Sequence, residues 1–297
     1  MSQAILQPGS GPIPGDHYLP TTPTTALWGR LPCATDTPAL TIDSGQSVTF
    51  DTVSHEGLLP DQGADPLAYF GSHGVSSADV LTDAIAVVNS MERNPDADGP
   101  HVVTGPVHVR GAQPGDLLKL TVEHLAPRVP YGVISNRHGR GSLAGELPRA
   151  GRGVSVFTPV IEGRGALPVT DGGERVITFP LAPFLGIMGV AVAGDVQPHS
   201  VPPGPHGGNI DINLLVQGAS LYLPVQVPGA LAYVGDPHFA QGNGEVSLTA
   251  LEASLRATIR FEVIPAAAGM AAFGELAGPL AETTDYLIPT GMDPDLD

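Results

Sequence analysis

Glycine and proline interrupt this chain so often that long helices have little room to form. With 38 Gly and 31 Pro in 297 residues, most apolar runs end after a few positions, since proline lacks a backbone donor and glycine resists ordering. What lies between the breaks alternates. Leu118, Leu120 and Val122 face one way and Lys119, Thr121 and Glu123 the other, the two-residue period of a strand. Leu255 to Val263 alternates as cleanly, with Arg256, Thr258, Arg260 and Glu262 predicted on a wet face. Ala39–Asp43 and Gln46–Val53 flank Ser44-Gly45 and read as a β-hairpin. A second strand–turn–strand figure follows at Val102–Val109, Gly111–Gly115 and Asp116–Glu123, so a sandwich architecture repeats itself. Val154–Phe157, Val176–Phe179, Ile187–Ala193 and Ala219–Val227 read as further short strands, the first three of a type buried on both faces.

One segment changes period. Val80, Leu81, Ala84, Ile85 and Val88 share a helical face, with Ser76 or Ser77 as N-cap and an end near Arg93-Asn-Pro95. The expected fold class is therefore mainly β (β-rich α+β): packed β-sheets in a sandwich-like architecture with few helices. No linker stands out, so residues 1–297 read as one domain; two interlocked β-rich halves, about 1–128 and 129–297, are the alternative division.

A net charge of −17 opposes nucleic acid, whose phosphates need clustered cations, and anionic membranes. No run approaches the ~20 apolar residues of a membrane span. Cys33 is the single cysteine, which excludes an internal disulfide and a four-cysteine zinc site. The first residues lack a signal peptide's basic and apolar regions, and a cytoplasmic location is expected. Seven of the 13 basic residues, from Arg128 to Arg175, lie in one glycine-rich segment: a lid, a subunit contact or a solvated loop.

The densest chemistry runs from Gly204 to Glu252, at Gly204-Pro-His-Gly-Gly-Asn-Ile-Asp211 and Gly235-Asp-Pro-His-Phe-Ala-Gln-Gly-Asn-Gly-Glu245. Standard nucleophiles are missing: there is no Gly-x-Ser-x-Gly elbow, and nothing near Cys33 lowers its pKa. Metal-assisted chemistry remains. Asp236 and His238 are two apart, so on extended backbone both reach one face and could hold one ion. Histidine with carboxylates suits zinc, and with Asn209 the set also suits calcium or manganese. Glu245, after the Gly242-Asn-Gly244 turn, could serve as general base. The plain alternative is a turn with an Asx hydrogen bond, backbone caps at Asn209 and Asp211, and an exposed Glu245. His55, Glu56 and His73 sit where a site could recruit them, although surface loops explain each histidine alone.

Several ordered blocks resemble the acetamidase/formamidase family: Thr104-Gly-Pro, Gly111-Ala-Gln-Pro-Gly-Asp116, Gly207-Gly-Asn-Ile-Asp211, Gly218-Ala-Ser-Leu-Tyr-Leu-Pro-Val225 and Gly235–Val246. The resemblance spans roughly Ala39 to Val263. It implies a mostly β fold, a homodimer or higher homo-oligomer, and metal-dependent hydrolysis of a short amide to carboxylate and ammonia. By matching positions it implies a site at Asn209, Asp211, Asp236, His238 and Glu245. Catalysis is expected from Glu245 and His238, substrate contacts from Gly208, Asn209 and Phe239, and metal ligation from Asp211, Asp236 and His238, with His55 and His101 brought in from the N-terminal half. Two departures stand out. Asn243 occupies a position usually filled by Asp, and Phe239-Ala240 replaces Ala-Ala, which suits a pocket for another amide. A cyclic amide, urea-like compound or ester as substrate, and a non-enzymatic β-sandwich holding structural calcium, are the other functions these residues allow.

Overall fold

The computed structural model describes residues 4–137, 139–149, 151–170, 173 and 175–292; His138, in the arginine-rich segment, lies outside them. Two packed sheets dominate, with three short helices, Pro66–Ser72, Thr82–Ser90 and Ala266–Phe273, among the described residues. The smaller sheet has the spatial order His17–Pro20, Ser47–Asp51, Leu255–Ile264, Leu117–Pro127, Ser220–Pro224, Leu280–Glu282, Leu287–Pro289. The larger is built around Ala232–Ala240, paired to Phe184–Gly189, Leu251–Glu252 and Val102–Arg110. Both sheets draw strands from before and after residue 128. The mainly β sandwich is as expected, and no described helix is long and apolar enough to cross a membrane.

The core forms as the alternation requires. Leu118, Leu120 and Val122 from one strand and Leu255, Ala257, Ile259 and Phe261 from its neighbour are all buried. Their other faces differ from expectation. Arg256 and Thr258 are buried too, because Arg256 forms a bidentate pair with Asp51 across the adjacent strand, at 2.6 and 2.7 Å. Arg128 lies beside it, with Nη1 2.6 Å from Asp83. The two guanidinium groups also bind carbonyl oxygens of Leu6, Gln7, Ser10 and Pro12, which pins the N-terminal arm to the sandwich.

The expected hairpin is not one. Leu40–Asp43 runs parallel to Val102–Arg110 in the larger sheet, whereas Ser47–Asp51 belongs to the smaller. The second figure does the same, with Val102–Arg110 in the larger sheet and Leu117–Pro127 in the smaller. Both turns carry the chain between layers, and the alternation on either side is indifferent to which layer receives it. Val176–Pro180, read as buried, is largely exposed, because it is an edge strand beyond Arg164–Pro168.

The helix begins later than expected. Ser76 caps a single turn at Ser77–Asp79, Val80 and Leu81 are extended, and the helix spans Thr82–Ser90. Its cap comes from the arm: the Thr82 amide donates to Gln7 Oε1 at 3.0 Å, and Gln7 Nε2 donates to the Val80 carbonyl at 2.9 Å. A cap so remote leaves no local trace. The helix Pro66–Ser72 does have local signals, Asp65 accepting from the Ala68 amide and Pro66 at the first position.

Candidate functional site

The strand Ala232–Ala240 organises the site. Asp236 and His238 lie on it, both buried, with His238 Nε2 3.2 Å from Asp236 Oδ2. Their convergence does not depend on extended backbone throughout, because Asp236 has φ +49°. Asp211 and Glu245 are also left-handed, at +46° and +44°. Three of the eight described non-glycine residues with positive φ are thus acidic residues at this one place. Such conformations cost on the order of 1–3 kcal/mol each and persist only where the surroundings enforce them.

Neighbouring strands supply the rest. Pairing of Val102–Arg110 with Ala232–Ala240 brings His101 beside Asp236, its Nε2 3.8 Å from Oδ2. The other nitrogen of His101 is 3.0 Å from the Ser200 hydroxyl, which fixes the ring. His55 arrives on the segment that leaves the smaller sheet after Asp51, with Nδ1 3.5 Å from Asp236 Oδ1. Asp211 Oδ1 is 3.9 Å from His238 Nδ1. Glu252 is the cross-strand partner of His238, its Oε2 3.1 Å from Nε2.

Room for these groups comes from Gly186. A methyl there would lie 2.5 Å from Asp211 Oδ1, 2.7 Å from Asp236 Oδ2 and 2.8 Å from His238 Cε1. Its carbonyl accepts the amides of Ile210 and Asp211, each at 3.1 Å.

The electrostatics follow from burial and crowding. Burial lowers the proton affinity of His55, but Asp236 and Glu56 outweigh it and raise the pKa to about 10. His101 falls to about 4, chiefly through burial. His238 is raised, since Glu252 and Asp236 overcome its desolvation. Asp211 is raised by burial and by Asp236, while Asp236 itself is held low because the histidines around it overcome its burial. Glu245 is pushed up to about 7 by burial and by Glu252.

The donor set fits a cation. His55, His101 and Asp236, then Asp211, His238 and Glu245, and then Asp236, His238 and Glu252 each offer ligand atoms within 4.8 Å of one another. His55 Nδ1, Asp211 Oδ1, Asp236 Oδ1, both nitrogens of His238 and Glu252 Oε2 are buried and lie near one another, yet none makes an aligned hydrogen bond among the described residues. Buried polar atoms are rarely left so, and here they face one another.

His55, His101, Asp211, Asp236, His238 and Glu245, singled out from the sequence, all meet here. Others do not join them. Phe239, expected to touch substrate, is fully buried in the hydrophobic core, because strand alternation turns it away from the face of its neighbour His238. Gly208 abuts His206 and Leu31. Asn209, in the strand Gly207–Asn209, keeps a buried Oδ1 without a described partner. His73 stacks on Phe157 at 4.8 Å. Glu252 was missed as a ligand candidate; its one signal is an acid inside the apolar run Ala250-Leu-Glu-Ala253.

Fold and site together describe a β-sandwich with a buried histidine–carboxylate centre. The model of the acetamidase/formamidase family matches residues 192–287, so the family resemblance read from the sequence blocks holds across the segment that carries Asp211, Asp236, His238, Glu245 and Glu252. The acetamidase of Mycolicibacterium smegmatis is 28% identical over 201 residues, covering 50% of this chain and 49% of the relative. The formamidase of Methylophilus methylotrophus is 27% identical over 201 residues, covering 52% and 49%. The chain spans about half the length of the curated relatives it matches. The solved acetamidase of Bacillus halodurans has the same fold, with TM-score 0.65 at 23% identity, covering 90% of this chain and 74% of that one.

Proposed function

We propose that this protein hydrolyses the C–N bond of a small amide to a carboxylate and ammonia, at a divalent cation held by the buried cluster. The observation that carries the proposal is the convergence of buried imidazole and carboxylate atoms, none in an aligned hydrogen bond, on one place. Asp236, His238 and Glu252 would hold the ion, with His55, His101 and Asp211 within reach. The mixed nitrogen and oxygen donors favour zinc, with manganese and calcium as alternatives. A cation bound there would polarise the amide carbonyl and acidify water.

The protein's own part lies at the rim. Glu245 is less buried than the other members, with a ligand atom within 4.8 Å of one of Asp211. A carboxyl poised near neutrality suits a general base: it would take the proton of the attacking water and return it to the leaving nitrogen. Glu245→Gln should therefore lower kcat by about a hundredfold or more with KM little changed, read as ammonia release from formamide or acetamide. Equal kcat in the variant would remove Glu245 from the mechanism.

Dialysis against a chelator should abolish the same activity, and zinc or manganese should restore it. Full turnover by metal-free protein would overturn the proposal. The homo-oligomer implied by the family resemblance belongs to this reading and is checked by light scattering.

A further inference from the structure

Glu56 is a buried carboxylate that the proposed chemistry leaves unused. Its side chain is 1% exposed and its Oε1 lies 3.4 Å from His55 Nε2, the ring nitrogen turned away from Asp236. Unlike the members of the cluster, both of its oxygens are held by donors. Ser135 Oγ donates to Oε1 at 2.7 Å, both terminal nitrogens of Arg137 donate to it at 3.3 Å, and Gln62 Nε2 donates to Oε2. These partners are anchored in turn. Gln62 Oε1 accepts the Gly57 amide at 2.6 Å, and Arg137 donates to Ser135 Oγ at 2.8 Å and to Asp61 at 2.7 Å.

The order is therefore Arg137, Glu56, His55, Asp236, running from a partly exposed guanidinium to the middle of the cluster. A histidine that offers one nitrogen to a cation commonly gives the other N–H to a carboxylate, which sets the tautomer, ring angle and basicity. Glu56 stands where that partner would be. Arg137, with Ser135 and Gln62, holds the carboxylate in that place.

We infer that Glu56 is a positioning residue, which orients His55 Nδ1 toward the cation site from behind and is itself held by Arg137 of the arginine-rich segment. The inference rests on the metal reading of the cluster and adds a role to it. It also gives that segment a specific attachment at the site.

The test uses the full chain, stripped of metal and titrated with Co²⁺, whose visible absorption reports its ligands. Glu56→Gln keeps the shape but cannot accept the imidazole proton as a carboxylate does. It should bind Co²⁺ about 10- to 100-fold more weakly, with a shifted absorption band and a melting temperature near that of the parent. Ser135→Ala, which loosens the carboxylate without removing it, should show the same changes in smaller degree. Should Glu56→Gln fail to fold, Ser135→Ala and Arg137→Lys carry the test. Parental affinity and an unchanged band in the folded variants would overturn the role of Glu56 and leave the metal reading standing. A parent protein that takes up no Co²⁺ would overturn both.

Discussion

Gly186→Ala should lower amide hydrolysis by about a hundredfold or more while leaving the fold in place. Gly186 is not among the glycines with positive φ, so its backbone accepts alanine. The added methyl has nowhere to go: three cluster atoms stand within 2.8 Å of it. None can retreat easily. Asp211 and Asp236 are set by constrained backbone, and His238 has no exposed surface and meets Phe184 edge-on at 5.0 Å. The expected result is a folded protein whose melting temperature falls by only a few degrees, as overpacking of about 1–3 kcal/mol implies, with depleted bound metal and depressed kcat/KM. Activity within threefold of the parent would mean that the reacting atoms lie elsewhere.

The second large effect concerns stability. Arg128→Leu should cost roughly 3–5 kcal/mol, because it leaves the buried Asp83 carboxylate without its partner. The lost contacts are the ion pair with Asp83 at 2.6 Å and the hydrogen bonds to the carbonyls of Thr52 and Leu6, both at 3.0 Å. Burial already raises the pKa of Asp83, against the pull of Arg128. Removing that pull should lower the melting temperature on the order of 10 °C. A double variant with Asp83→Leu should recover part of the loss, since replacing both charges removes the desolvation problem. A melting temperature for Arg128→Leu within 2–3 °C of the parent, roughly 1 kcal/mol, would show that the pair contributes little.

Local pattern was legible where one face of an element decides its fate. Leu118, Leu120 and Val122 pointed inward as their alternation implied, and Asp236 and His238 do meet, although the left-handed Asp236 departs from the extended backbone their spacing assumed. Identity of layer was not legible. Leu40–Asp43 and Ser47–Asp51 look like hairpin arms because a turn that steps between sheets uses the same glycine as one that stays within a sheet. Partners distant in sequence were hidden for a related reason. Glu252 becomes a neighbour of His238 only through strand pairing, and Gln7 caps a helix 75 positions away. Phe239 was misplaced because a family block says which residues travel together, not which face each one takes.

The interleaving of the sheets also sets a timetable for folding. The strand Leu255–Ile264 lies between Ser47–Asp51 and Leu117–Pro127, and its Arg256 grips Asp51 from 205 positions away. The early strands therefore cannot complete their sheet until the last third of the chain has been synthesised. His55 and His101 wait equally long for Asp236, His238 and Glu252. Such remote pairing slows folding, because loop entropy is lost before the contacts repay it. The growing chain holds His55 and His101 apart from the acids that surround them in the finished fold until Asp236, His238 and Glu252 have been made.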